Sequence, residues 1–210
     1  MTKTKVAGLY AIAPEALSTE MLMEKVRLAL DGGARVIQYR NKTADQVTSL
    51  WQADGLASLL KAKDVLFIVN DSVDLARAVG ADGVHLGHAD GDIAAARKAL
   101  PNKLIGVSCY NDLERAIAAE AAGADYVAFG AAFPSTTKPG AVHAPLALYR
   151  EAVRRLAIPV VAVGGINVHN AHGLVDAGVA AIAVVSALFD ADDIAATASF
   201  FSDLFEKAKQ

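Results

Sequence analysis

A compact (β/α)8 barrel, the TIM-barrel class, is the fold this chain predicts, and three observations predict it. Short apolar runs alternate with helix-like stretches eight times within 210 residues. The runs are rich in Val, Ile and Ala, as strands buried on both faces of a parallel sheet are. One junction also recurs: GGARVIQYR, GADGVHLG, GADYVAFG and GVAAIAVVS each set a helix-stopping glycine before an apolar strand. Strict alternation implies right-handed βαβ units and a parallel sheet. Eight such units in so short a chain point to a closed barrel. An open doubly wound sheet usually has fewer strands, and no G-x-G-x-x-G follows the first strand here. No linker or low-complexity tract interrupts the pattern, so residues 1–210 read as one barrel domain.

Residues 6–13 (VAGLYAIA) form the first strand. Ser18 caps the helix MLMEKVRLAL, which Gly32-Gly33 stops. Strand 34–40 precedes a long amphipathic helix over 43–63. Strand 65–70 leads to a short helix ending at Gly80, and strand 82–87 to a helix over about 91–99. Strand 103–108 is followed by a helix capped by Asn111 or Asp112. Strand 125–130 opens into a long loop, 131–145, before the helix 146–156. Strand 158–165, helix 168–178 and strand 179–186 follow. Asp190 or Asp192 starts the last helix.

The composition narrows the function classes. Hydrophobic residues make up 54% of the chain, yet no uninterrupted run reaches the ~18 residues of a membrane span. The N-terminus lacks the apolar core and cleavage site of a signal peptide. Cys109 is the single cysteine, which rules out an internal disulfide and a cysteine-based zinc cluster. A reducing, cytoplasmic setting is expected. A net charge of −3 disfavours nucleic acid as the main partner. Capacity for anions must therefore be local.

In this fold, function sits at the C-terminal ends of the strands and in the loops after them. The polar residues there are Gln38, Arg40, Asn41 and Lys42 after the second strand and Asn70-Asp71 after the third. His85, His88 and Asp90 lie on or after the fourth, and Ser108-Cys109-Tyr110 at the end of the fifth. Ser135, Thr136, Thr137 and Lys138 follow the sixth, Gly164-Gly165 close the seventh, and Val185-Ser186 the eighth. Asp71 and Asp90 stand just past adjacent parallel strands. Two carboxylates facing each other across one rim suit Mg²⁺, a hard cation that commonly bridges to substrate phosphates. Arg40, Lys42 and Lys138 add positive charge. Gly164-Gly165 and Ser186 offer backbone N–H groups at the usual phosphate position of the fold. Two phosphate sites in one mouth, one of them metal-dependent, suggest a condensation in which one ligand loses diphosphate.

In QYRNK (38–42), NDSVDLARAVGADGVHLGHAD (70–90), GVS (106–108), FPSTTKP (133–139), GGI (164–166) and VVSA (184–187), the chain resembles the thiamine phosphate synthases. The motifs are in the family's order and span almost the whole chain. The resemblance implies two small-molecule substrates, hydroxymethylpyrimidine diphosphate with Mg²⁺ and hydroxyethylthiazole phosphate, giving thiamine phosphate and diphosphate. It implies that Gln38, Arg40, Lys42, Asn70, Ser108 and Lys138 hold the pyrimidine diphosphate, and that Asp71 and Asp90 bind the metal. It further implies that Ser135, Thr136, Thr137, Gly165, Val185 and Ser186 hold the thiazole phosphate, with Lys138, Ser108 and Arg40 closest to the chemistry. The chain departs from the family at Asn41 (usually Glu), His88 (usually Gln), Cys109-Tyr110 and Ser135 (usually Thr). The expected metal and diphosphate ligands are intact.

Each residue has a plainer reading. Asp71 and Asp90 are both suitable helix N-caps. Arg40, Lys42 and Lys138 could be solvated loop cations, Gly164-Gly165 a tight turn and Ser186 a helix start. His85 reads as a hydrogen-bonded interior residue and Cys109 as a small packing residue. His88, His143, His169 and His172 lack zinc spacing. Trp51 and the pair Phe200-Phe201 read as packing between outer helices or as a subunit contact, which would make a homo-oligomer. The loop 131–145 is long for a barrel turn and reads as a lid. A related thiazole-phosphate isomerase would lack much of the metal and diphosphate set. A non-catalytic binder of a thiamine precursor is the remaining alternative.

Overall fold

The structure, a computed structural model, describes residues 6–61, 63–87, 92–134, 140 and 142–208. The eight strands are β1 (Gly8–Ile12), β2 (Val36–Tyr39), β3 (Leu66–Asn70), β4 (Gly83–Leu86), β5 (Leu104–Tyr110), β6 (Tyr126–Phe129), β7 (Val160–Val163) and β8 (Ala181–Val184). All neighbours pair in parallel, and β8 pairs back onto β1 to close the barrel. The helices on the outside are α1 (Thr19–Asp31), α2 (Gln46–Leu60), α3 (Val73–Ala78), α4 (Ile93–Ala99), α5 (Leu113–Ala121), α6 (Leu146–Arg155), α7 (Ala171–Asp176), α8 (Ser186–Phe189) and α9 (Ile194–Lys207). The predicted fold class is the observed one.

Alternation of side chains along each strand divides the apolar residues into two cores. Leu9, Ala11, Ile37, Phe67, Val69 and Val84 point outward into the layer between sheet and helices. Tyr10, Ile12, Val36, Ile68, Leu104 and Tyr126 point inward and fill the barrel. The period of two requires this division, and it explains why the strands carry apolar runs rather than alternating ones.

Helix starts follow local chemistry. The side chains of Ser18, Asp45, Ser72, Asp92, Asp112 and Asp193 each accept a backbone N–H of the first turn they cap. Four details differ from the sequence reading. The last helix is capped by Asp193, not by Asp190 or Asp192. The short α8 intervenes between β8 and that helix, a turn too brief to leave a periodic signal. Helix α7 begins at Ala171 rather than near residue 168, because Asn167 and Asn170 fold into a side-chain-bonded turn first. Helix α2 has an apolar outer face, with Val47, Leu50 and Trp51 all exposed while Gln52 is buried. Its buried Gln52 is satisfied by Tyr39 Oη, Asn41 Nδ2 and the Leu17 carbonyl. Trp51 therefore does not pack between outer helices in this chain. Phe200 and Phe201 do: Phe201 is buried, and Phe200 makes edge contacts with Phe201 and with His172 of α7. Among the described residues, no helix is long and apolar enough to cross a membrane.

Candidate active site

The C-terminal rim collects the ends of β2, β3, β4, β5, β7 and β8. After β2 the chain presents Arg40 and Lys42, held apart by Asn41. Asn41 Oδ1 accepts from the Thr43 and Ala44 backbone N–H groups at 3.2 and 3.1 Å, and its Nδ2 reaches Gln52. An asparagine turn of this kind fixes a strand exit locally. Asn41 thus ties this loop to α2. Arg40 is ion-paired with Glu15 of the loop after β1. Lys42 Nζ lies 2.9 Å from the Asp71 carboxylate, and its own side chain is half exposed.

The carboxylate of Asp71 is not a helix cap. Ser72 caps α3, its Oγ accepting the Leu75 N–H at 3.1 Å. Asp71 stands one residue earlier with φ +63, and its N–H donates to the His85 carbonyl at 2.8 Å. A left-handed aspartate in a short turn is held there by its surroundings. That conformation turns its carboxylate toward Lys42 across the β2–β3 rim. Asn70, the last residue of β3, stands opposite His85 in the β4 register.

Ser108 marks the end of the regular part of β5. The register with β6 slips between Ser108 and Tyr110, and Tyr110 takes φ +56. Bulges of this kind re-aim side chains at barrel rims. Arg115 Nε holds the Ser108 carbonyl at 2.9 Å, and the Ser108 Oγ is 2.9 Å from His85 Nε2. His85 is therefore the bonded interior histidine expected. Cys109 is fully buried, and burial pushes its thiol up to about 12. A thiol so placed stays protonated, in keeping with a packing role. Iodoacetamide at pH 8 should leave Cys109 unmodified in the folded protein and label it fully in denaturant, as read by intact mass. Rapid labelling of the folded protein would contradict its placement.

Beneath the rim runs a chain of polar side chains, of which sequence reading missed Tyr10, Tyr126 and the connection itself. Gln38, only 3% exposed, donates from Nε2 to Tyr10 Oη at 2.8 Å. Tyr10 Oη meets Tyr126 Oη at 3.0 Å, and Tyr126 Oη meets His85 Nδ1 at 3.0 Å. Burial pushes the pKa of both tyrosine hydroxyls up, so both stay neutral. Their presence in otherwise aliphatic strands was the available signal, since a buried tyrosine usually bonds its hydroxyl. Glu15, the partner of Arg40, was missed as well, and it had no motif to mark it.

On the far side of the mouth, Gly164 and Gly165 adopt φ +96 and +66. A Cβ on Gly165 would stand 2.5 Å from the carbonyl oxygens of both Phe133 and Pro134. The start of the 131–145 loop thus lies directly on Gly165. The loop's two arms are joined by Ala131 N–H to the Val142 carbonyl and Ala144 N–H to the Ala131 carbonyl, each 2.8 Å. Val185 and Ser186 follow β8 on the same rim, Ser186 as the first residue of α8. The predicted site residues Asp90, Ser135, Thr136, Thr137 and Lys138 lie outside the described residues, as does His88.

Mg²⁺ needs oxygen donors and commonly takes one or two carboxylates, the remaining positions being waters and substrate phosphates. Asp71 fits that donor set, being a rim carboxylate released from capping. Among the described residues no group of three or more potential metal ligands gathers, and a Mg²⁺ site of this sparse kind requires none.

The chain is similar to known proteins along nearly its full length. The family profile described as thiamine monophosphate synthase matches residues 9–188. A thiamine-phosphate synthase of Aromatoleum aromaticum is 50% identical over 207 residues, covering 98% of this chain and 100% of that protein. One from Chromobacterium violaceum is 53% identical over 202 residues, covering 96% and 97%. The solved thiamine phosphate pyrophosphorylase of Pyrococcus furiosus superposes with a TM-score of 0.88 at 39% identity, covering 98% of each chain.

Proposed function

Because the chain belongs to the thiamine monophosphate synthase family, we propose that it is a transferase condensing hydroxymethylpyrimidine diphosphate with hydroxyethylthiazole phosphate. The products are thiamine phosphate and diphosphate. The observation that carries the reading is the meeting on one rim of Gln38, Arg40, Lys42, Asn70, Asp71 and Ser108, with Gly165, Val185 and Ser186 across the mouth.

In this reading Gln38 and Ser108 orient the pyrimidine ring, while Arg40, Lys42, Asn70 and Lys138 surround its diphosphate. Asp71 and Asp90 hold Mg²⁺, which when bound adds positive charge beside the departing phosphates. Ser135, Thr136, Thr137, Gly165, Val185 and Ser186 hold the thiazole phosphate. The C–O bond to diphosphate breaks first, and the electron-rich aminopyrimidine stabilises the resulting methylene cation. The thiazole nitrogen then supplies the electron pair for the new C–N bond. It is nucleophilic already, so no general base is needed, in keeping with a rim that carries no catalytic triad among its described residues. Charge grows on the leaving group, so fixed cations there matter most. The 131–145 loop, whose residues Phe133 and Pro134 lie against Gly165, would keep water from trapping the cation. A cytoplasmic setting suits the single buried thiol.

Purified protein supplied with Mg²⁺ and both substrates should release thiamine phosphate and diphosphate in equal amounts. No product under those conditions would remove the reading. Asp71→Asn should raise the Mg²⁺ concentration for half-maximal activity by at least about tenfold, since even losing a partner of a metal ligand can cost that much. An unaltered Mg²⁺ titration would take Asp71 out of the metal set.

A further inference from the structure

The buried polar chain joins five strands. It runs from Gln38 on β2 through Tyr10 on β1, Tyr126 on β6 and His85 on β4 to Ser108 on β5, with contacts of 2.8, 3.0, 3.0 and 2.9 Å. The three middle members are at most 8% exposed. Its two ends are the residues assigned above to the pyrimidine ring. The middle members have no part in the reaction as described.

Each middle group has a limited supply of protons. A neutral tyrosine has one, and a neutral imidazole has one shared between two nitrogens. Gln38 Nε2 donates to Tyr10 Oη. The Tyr10 proton is then directed to Tyr126 Oη, and the Tyr126 proton to His85 Nδ1. With a single ring proton, as a neutral imidazole, His85 then carries it on Nε2 and gives it to Ser108 Oγ. The Ser108 hydroxyl proton is left to point onward. At the other end, Gln38 Oε1 accepts from no described residue. No buried side-chain N or O atom lacks a partner among the described residues, so this oxygen opens to the mouth. Any mixed polarity would set two donors or two acceptors against each other in a buried place, where an unmade hydrogen bond is costly.

We propose that Tyr10, Tyr126 and His85 are positioning residues that lock the polarity of this chain, so that Gln38 presents an acceptor and Ser108 a donor. The ligand chemistry it selects is a heteroaromatic ring bearing both an N–H donor and a bare ring nitrogen, as an aminopyrimidine does. A ring with these two reversed meets like against like at both ends. The assignment to the pyrimidine substrate rests on the function proposed above. The proton order within the chain does not, and it can be read without any substrate.

The test uses protein labelled with ¹⁵N at histidine and long-range ¹H–¹⁵N correlation spectra, with His85→Gln identifying the His85 signals. In the unliganded protein His85 should show the Nε2–H tautomer. Tyr126→Phe deletes the donor to Nδ1. It should shift His85 toward a mixture of tautomers and raise KM for the pyrimidine diphosphate about tenfold, the scale of one lost buried hydrogen bond. KM for the thiazole phosphate should not change. Should Tyr126→Phe fail to fold, Tyr10→Phe breaks the chain one bond further along and carries the same expectations for KM. An Nδ1–H tautomer in the unliganded protein would overturn the proposal. So would an unchanged tautomer and unchanged pyrimidine KM in whichever variant folds. A protein inactive in the condensation assay but showing the Nε2–H tautomer, lost in Tyr126→Phe, would fault the function and not the relay.

Discussion

Gly106→Ala is expected to lower the melting temperature by about 6–12 °C, from a loss of about 3 kcal/mol at the upper end of the usual cost of overpacking. A Cβ at Gly106 would lie 2.0 Å from Cζ of Tyr126 and 2.3 Å from its hydroxyl oxygen. Tyr126 has nowhere to go. Its ring is fully buried, tilted against Tyr10 at 6.2 Å and against His85 at 5.6 Å between centroids. Its hydroxyl is held from both sides. Any displacement large enough to admit the methyl group breaks those two bonds inside the barrel, so the variant should also bind the pyrimidine diphosphate more weakly. Gly140→Ala is the control, because no described residue stands within 4 Å of a Cβ there. Thermal unfolding of the two variants by circular dichroism decides the matter. Equal melting temperatures would mean that Tyr126 does not rest against Gly106.

Lys138→Ala is expected to lower kcat by about 10²-fold or more, as the loss of one transition-state charge partner does. Two described rim cations already have carboxylate partners: Arg40 pairs with Glu15, and Lys42 with Asp71. Part of their charge is therefore answered within the protein before a substrate arrives. In the proposed reaction Lys138 adds charge where the departing diphosphate develops it. Such a residue acts on the transition state more than on ground-state binding, so KM for the thiazole phosphate should hold steady while kcat falls. Steady-state kinetics with each substrate varied would test this. An unchanged kcat would remove Lys138 from the proposed role.

These two positions differ in how they can be found. Lys138 stands in FPSTTKP, a local string that resembles the family's motif, and it can be singled out by reading along the chain. Gly106 sits in KLIGVS, where it reads as one more small residue of a buried strand. Its importance comes from Tyr126, twenty residues on, whose ring crosses the space a side chain would fill. The same contrast separates Asp71 from Glu15. Asp71 follows a strand directly and reads as a metal or cap candidate. The structure removes the cap, because Ser72 takes that duty. Glu15 is an ordinary loop carboxylate until the barrel closes and sets it beside Arg40.

By itself the sequence determined the barrel, the strand order, the strand ends that carry the polar rim, and the helix caps Ser18 and Asp112. All of these are encoded over a few residues, through a period of two in the strands, a glycine stop or a capping side chain. The tertiary structure alone decided what happens inside the barrel. Tyr10, Gln38, His85, Ser108 and Tyr126 are as much as 116 residues apart along the chain, yet they form one hydrogen-bonded line. That line exists only because β8 pairs with β1 and closes the sheet, so that inward-facing side chains from five strands share one small, dry volume. There every polar atom must find a partner, and a distant residue is the nearest one available.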